Sequence, residues 1–433
     1  MFIRSILMQE KLEGMIRPMD KSQIRRLNIH GMLLQGAFWF GICTYLVFMV
    51  TTLIDYGWSA SAAAAAMTVM SVITMLTQPV LGYVSDKFLS EKKLSVVLIT
   101  LSAIFLMSLP LALQSGQTLL IWANMIAITV TAMQVVSLLD AWIVGLNQEF
   151  EGINYGLIRG TGSLAFALAA QIAGMMTISL GHHARFYLGG GFFFLTAIAA
   201  LTFRPTRAVN EKTNSVQQLS GKEAFKFIFS SKQYCLLLGV AFFLLLSNAS
   251  LGTLLQLLIL DFNGTTAQIG TASAVMAASE VPIMFLMAFI LKKLGYQKLF
   301  LVSSFVYALR MFIMVFLGSV NALIAIQALQ AFSFAILIPL SMSYLSKILD
   351  ERIRTTAITT YGAVTASLTG IIGNLITTTL LEMGFTAQNV LMVFACSSLI
   401  GFALALYGAL RKIWIVDPTN KASSDSSGET IDE

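Results

Sequence analysis

Leu139-Asp140-Ala141-Trp142, an acidic turn around Glu149 and Glu151, and then Tyr155-Gly-Leu-Ile-Arg159-Gly-Thr-Gly162-Ser163-Leu-Ala-Phe166 make up the stretch that decides the fold. Apolar runs long enough to span a bilayer flank the turn, so Asp140 and Arg159 fall inside hydrophobic helices. A charge at that depth costs about 2.5–3.5 kcal/mol on insertion scales and persists by pairing or by lining water. Two opposite charges near the facing ends of consecutive helices can pair. At 1.5 Å per residue, Asp140 lies roughly 9 Å and Arg159 roughly 8 Å from the inner ends of their helices. Phe166 follows Arg159 by about two turns on the same helix face, roughly 10 Å along the axis. A cation and an aromatic plate on one wall suit a small organic solute. The plainer alternative is an ion pair that only locks two helices together, with Phe166 turned to lipid.

Working outward, the 433 residues are 57% hydrophobic and 11% charged, with a mean hydropathy of +0.80. That leaves too little polar surface for a soluble protein. Twelve segments have the length and apolarity of membrane spans: 28–53, 60–84, 95–112, 118–146, 154–180, 185–203, 233–258, 267–291, 298–318, 322–346, 355–380 and 387–412. Their apolar runs are continuous and do not alternate, which predicts an all-α membrane protein. Residues 1–27 form a leader, residues 28–203 and 233–412 two six-helix halves, 204–232 a polar linker, and 413–433 a Ser-rich acidic tail expected to be disordered. The leader lies on the membrane as a short amphipathic helix, is disordered, or precedes a start at Met19.

The formal charge of +6 reads as topology and not as a nucleic-acid partner. With both termini inside, every Lys and Arg except Arg159, Arg185 and Arg310 lies on the cytoplasmic side, with Arg185 outside. The expected location is the cell membrane, with several passes. Cys43, Cys235 and Cys396 lie in separate apolar segments and read as small buried hydrophobes. His182 and His183 read as a solvated pair in an outside loop. No HExxH, P-loop or GxSxG pattern occurs, so neither an enzyme, a metal site nor a cofactor is expected. A receptor would carry a larger soluble domain than this chain offers.

The halves echo each other. The first has an acid in its fourth span and an Arg in its fifth; the second has Glu280 in its eighth and Arg310 in its ninth. Such weak internal symmetry fits transporters built from repeats. Glu280 and Arg310 lie at matched depths, roughly 16 and 18 Å from the inner ends, so they are expected to pair. Near mid-membrane, Glu280 is a candidate proton carrier, with a permanently clamped carboxylate as the structural alternative. Amides recur in the spans at Gln134, Asn248, Gln256, Gln327, Gln330 and Asn374, and in the first span Gln35, Gly36 and Trp39 stand out. Together they favour a polar central cavity, although each alone can serve as helix–helix glue. After the second span, Gly82-Tyr-Val-Ser-Asp86-Lys87 opens a polar turn.

These features resemble the major facilitator superfamily, and within it the branch of lactose-type oligosaccharide/proton symporters, nucleoside/proton symporters and phenylpropionate permease-like proteins. The Asp140 and Tyr155–Phe166 motif is similar to the branch signature, and the Gly82–Lys93 turn resembles the superfamily's loop between the second and third spans. The resemblance implies that Asp140 and Arg159 bind substrate hydroxyls, that Phe166 stacks on a ring, and that Gly82, Asp86 and Lys87 gate. Gln134, Gln330 and Asn248 are added as cavity amides, with Glu280 and Arg310 assigned to proton coupling. In the tenth span, where lactose-type permeases carry Lys, His and Glu, this chain has Gln327, Gln330 and Ser333. The expectation is a monomeric importer of a sugar or oligosaccharide by proton symport with alternating access. A nucleoside or small aromatic acid symporter and a drug-type exporter are the alternatives.

Overall fold

Within a bilayer, backbone amides find no water, so each long apolar run satisfies them internally as a helix. The computed structural model describes residues 21–149, 152–203, 229–349 and 351–414, and all of its regular elements are helical. Most of the leader, most of the linker and the tail beyond residue 414 lie outside the described residues.

The first half comprises α1 (Lys21–Asp55), α2 (Ala60–Lys87), α3 (Glu91–Gln114), α4 (Thr118–Glu149), α5 (Tyr155–Leu180) and α6 (His182–Thr202). The second half begins with α7 (Lys232–Asp261). One run, Thr266–Phe316, then holds both α8 (266–294) and α9 (296–316), divided at Gly295, whose φ of 74° no helix allows. There follow α10 (Val320–Ile348), α11 (Ala357–Glu382) and α12 (Ala387–Leu410). With the two sides of Gly295 counted apart, these are the twelve expected spans. Within α10, Gln327–Phe332 tightens to a 3₁₀ turn, and within α11, Ala363–Leu368 widens to a π-helix. Side-chain caps fix several helix starts: Ser59 accepts from the Ala62 N–H at 3.1 Å, and Thr265 and Gln268 form a reciprocal capping box.

Several expectations are corrected. Residues 21–27 are helical and continuous with α1. Gly82, Asp86 and Lys87 lie in the last turns of α2 and not in a loop; the turn itself starts at Phe88, and what the Gly82, Asp86 and Lys87 side chains do lies outside the described residues. Cys43 is buried as expected, but Cys235 and Cys396 are exposed. Arg185, at the face opposite the terminal one, is fully buried, donating to Thr52 and, at 2.7 Å, to Thr177, with its guanidinium 4.8 Å from the Phe186 ring. Its neighbours His182 and His183 are not simply solvated. His182 lies 3.4 Å from Asp55, and the Tyr56 hydroxyl lies 2.6 Å from His183. The cause is a sharp connection: Gly181, at φ 82°, joins α5 to α6 without a loop.

In the first half, α1 packs on α5 and α6, and α3 on α4 and α6; in the second, α7 and α9 pack on α12. The halves meet where α5 crosses α8 and α2 crosses α11. Lys21 and Trp414 lie at one face, which we call the terminal face. At the opposite face the halves are sealed. The Thr51 N–H donates to Gln256 at 3.1 Å, Asn374 donates to the Ser71 hydroxyl at 3.4 Å, and Gly174 and Gly270 let the backbones of α5 and α8 meet. Toward the terminal face, α2 loses its packing against α11: it rests on residues 363–382 and makes no more than isolated contacts with 351–362. α2 and α11 therefore part toward the terminal face.

Candidate functional site

The α4–α5 turn sets the register of the site. Asn28 of α1 accepts from the Asn154 N–H at 2.9 Å and donates to the Gly152 carbonyl at 3.1 Å. Asn154 in turn caps α5 by accepting from the Leu157 N–H at 2.9 Å. This clamp ties the α4–α5 turn and the start of α5 to α1, and Arg159 comes within 3.9 Å of Asp140. Their side chains are 28% and 31% exposed, so the pair is open to solvent on one side and is not sealed between helices.

α1 completes the site. Gln35 donates to Asp140 at 3.0 Å and accepts from the Trp39 indole at 2.8 Å, while the Arg159 guanidinium lies 4.4 Å from the Trp39 ring centre. Asp140, Arg159, Trp39 and Gln35 thus form a closed ring of contacts. A glycine at 162 makes room for it: a Cβ there would sit 2.6 Å from a Trp39 ring carbon. The Phe166 ring meets Trp39 edge-on at 6.1 Å and is half-buried. The aromatic beside Arg159 is therefore Trp39, with Phe166 one ring further along.

Across the cavity the expected direct pair does not form. Glu280 accepts from the Gln330 amide at 3.0 Å, and Arg310 donates to the carbonyls of Gln330 and Gln327. Neither Arg159 nor Arg310 reaches ion-pair distance of Glu280 among the described residues. Matched depth placed Glu280 and Arg310 at one level; the 3₁₀ turn of α10 inserts Gln330 between them. Gln327 is itself held by donating to the Leu323 carbonyl at 2.8 Å.

The remaining predicted amides divide. Gln134 is buried and donates to Thr77 at 2.7 Å and to the Thr74 carbonyl at 3.3 Å, so it fastens α4 to α2 and does not line the cavity. Asn248 is half-buried on α7 and makes no side-chain hydrogen bond among the described residues. Gln256 and Asn374 serve the seal. Ser333 is buried and bonded to the Leu329 carbonyl at 3.0 Å. No cluster of three or more metal-ligating side chains occurs among the described residues.

A fixed cation and carboxylate, held beside indole and phenyl rings at the wall of an open cavity, can hydrogen-bond vicinal hydroxyls while an apolar ring face rests on the aromatics.

Residues 37–392 match the MFS_1 like family. The chain is 26% identical over 356 residues to the maltose permease of Geobacillus stearothermophilus, covering 82% of this chain and 87% of that protein. It is likewise 26% identical over 353 residues to the uncharacterized transporter YwbF of Bacillus subtilis (strain 168), covering 81% and 85%. Among solved structures, the nucleoside transporter NupG superposes with a TM-score of 0.70 at 18% identity, over 87% of this chain and 98% of that one. A bacterial homologue of the human lysosomal transporter Spinster, inward-facing and unoccupied, superposes with a TM-score of 0.62 at 12% identity, over 90% and 95%. At these identities the two structures speak for the fold.

Proposed function

We infer the function from one established fact: this chain belongs to the MFS_1 like family of the major facilitator superfamily, and it is a multi-pass membrane transporter. The proposed cargo is a sugar or oligosaccharide, imported with a proton by alternating access. The observation that carries this reading is the cavity-facing ring of Asp140, Arg159, Trp39 and Gln35, with its carboxylate, guanidinium and amide beside an indole face. The likeness to a maltose permease supports the same choice.

In this reading Asp140 accepts and Arg159 donates to substrate hydroxyls, while Trp39 and Phe166 offer the apolar surface. Coupling falls to Glu280. The second half contains no histidine, and Glu280 is the carboxylate facing the cavity from that side. When Glu280 takes a proton, its hydrogen bond with the Gln330 amide loses the charged acceptor, and the α8–α10 contact weakens. Substrate and proton are linked if each favours the same arrangement of the halves. The end of α2, with Gly82, Asp86 and Lys87, is proposed to bias that arrangement from the terminal face, which the charge distribution assigns to the cytoplasm.

Purified protein in vesicles under an imposed proton gradient tests the proposal, with maltose and a panel of mono- and oligosaccharides. Gradient-driven accumulation of a sugar supports it. Uptake of nucleosides or aromatic acids in place of sugars would reassign the cargo. Uptake that ignores the gradient would remove the proton.

A further inference from the structure

We propose that the terminal-face end of α1 forms, with α5 and α6, a binding site for one anionic phospholipid, separate from the central cavity and independent of what the protein transports. Two adjoining concavities carry the argument. The first, about 460 Å³, is lined by Lys21, Arg25 and Arg26 with Ser22, Ile29 and His30. The second, about 400 Å³, starts at the same His30 and runs between α1, α5 and α6, with Leu33, Phe40, Leu168, Leu195 and Ile198 among its walls.

The two are one stripe of α1. Residues 22, 26, 29, 33, 36 and 40 recur at helical spacing; Arg26 lies at the terminal-face end of the stripe, flanked by Lys21 and Arg25, and from Ile29 on its residues are apolar or small. Lys21, Arg25 and Arg26 are exposed, and none pairs with an acid among the described residues. From His30 to Phe40 the groove runs about 15 Å at 1.5 Å per residue. That is half of a hydrocarbon core about 30 Å thick, the depth of one leaflet. Leu33, Leu168, Leu195 and Ile198 are exposed although apolar, so the groove opens sideways from the helices. On α5 the groove residues Thr161, Ala165 and Leu168 lie on the face opposite Arg159, so it does not communicate with the site pair.

The chemistry that fits is a phosphate headgroup against two guanidiniums and an ammonium, with an acyl chain below it. Arg donates to phosphate in a planar fork, and basic pockets at the ends of spanning helices attract anionic headgroups. A zwitterionic lipid offers the same chain with no net charge.

The test uses the full-length protein in detergent, with dioleoylphosphatidylglycerol and dioleoylphosphatidylcholine titrated separately and retention read by native mass spectrometry. The parent should bind one phosphatidylglycerol at least tenfold more tightly than phosphatidylcholine. Arg25→Gln with Arg26→Gln should abolish that preference. Leu195→Trp, at a position exposed enough to accept the larger ring, should weaken both lipids by obstructing the groove. Unchanged melting temperatures without added lipid verify that the variants fold. A double variant that keeps the preference overturns the proposal. So does a Leu195→Trp variant that binds phosphatidylglycerol like the parent, or displacement of the lipid by millimolar inorganic phosphate, which would mark a simple phosphate site.

Discussion

The guanidinium of Arg159 lies over Trp39, 4.4 Å from the ring centre, so its planar shape takes part in the site as well as its charge. Lys would carry the charge without the fork or the stacking plane. Arg159→Lys should therefore weaken substrate binding by roughly tenfold or more, about 1.4 kcal/mol. Trp39→Ala should lose about 0.5–2 kcal/mol, the range of a cation–π contact. Binding to purified, folded variants measures both, and parental affinity in Arg159→Lys would remove Arg159 from the site.

Phe166 touches Trp39 edge-on and is only half-buried. Phe166→Tyr should retain affinity for a ring-bearing solute, and Phe166→Ala should lose about 0.5–1.5 kcal/mol. Equal binding by the Ala variant would assign Phe166 to packing alone.

Glu280→Gln mimics the protonated carboxyl and can still meet the Gln330 amide. Counterflow of substrate across vesicle membranes should survive in this variant while accumulation on a proton gradient is lost. Gln330→Leu, which removes the group joining Glu280 to Arg310, should impair both. Full accumulation by Glu280→Gln would place coupling elsewhere.

At Gly270 an added Cβ would overlap the Ala170 carbonyl, so Gly270→Ala should loosen the seal opposite the terminal face. Its readout is thiol labelling of a cysteine placed at Ser71, with Cys235 and Cys396 replaced, by a reagent applied from the sealed side. Labelling should rise several-fold over the same cysteine variant with Gly270 intact. No increase would show that α5 and α8 separate without regard to this contact.

Arg185 is buried, with one terminal nitrogen donating to Thr52 and the other to Thr177, and its Nε without a partner among the described residues. Thr177→Val keeps the shape and removes one acceptor, leaving a charged donor unmet at a cost of about 1–3 kcal/mol. Thermal unfolding in detergent should register the loss, with transport per folded molecule unchanged.

Charge makes part of this architecture legible. Asp140 and Arg159 stand out because an ion inside an apolar run needs a partner, and their spacing from the turn puts them at one depth. Depth along an axis carries no information about rotation or about what lies between two groups. Hence Glu280 and Arg310 fall at one level in the sequence, while nothing there marks Gln330 as the group between them. Gln134 is misread for the same reason, since an amide toward a neighbouring helix and one toward a cavity have the same sequence context. Trp39 stands out only as part of a polar wall, because an aromatic in an apolar span carries no mark of a role. His182 and His183 read as loop because two histidines between apolar runs look solvated; only the backbone at Gly181 shows that the helix has already begun.

The Gly295 joint reaches beyond topology. One residue, and no loop, separates the helix that carries Glu280 from the helix that carries Arg310. Such a joint leaves no slack, so a tilt of α8 has to appear at the base of α9. A disturbance at the carboxylate is thereby delivered mechanically to the rod that holds the guanidinium, and the two act as arms of one lever with its fulcrum at the terminal face.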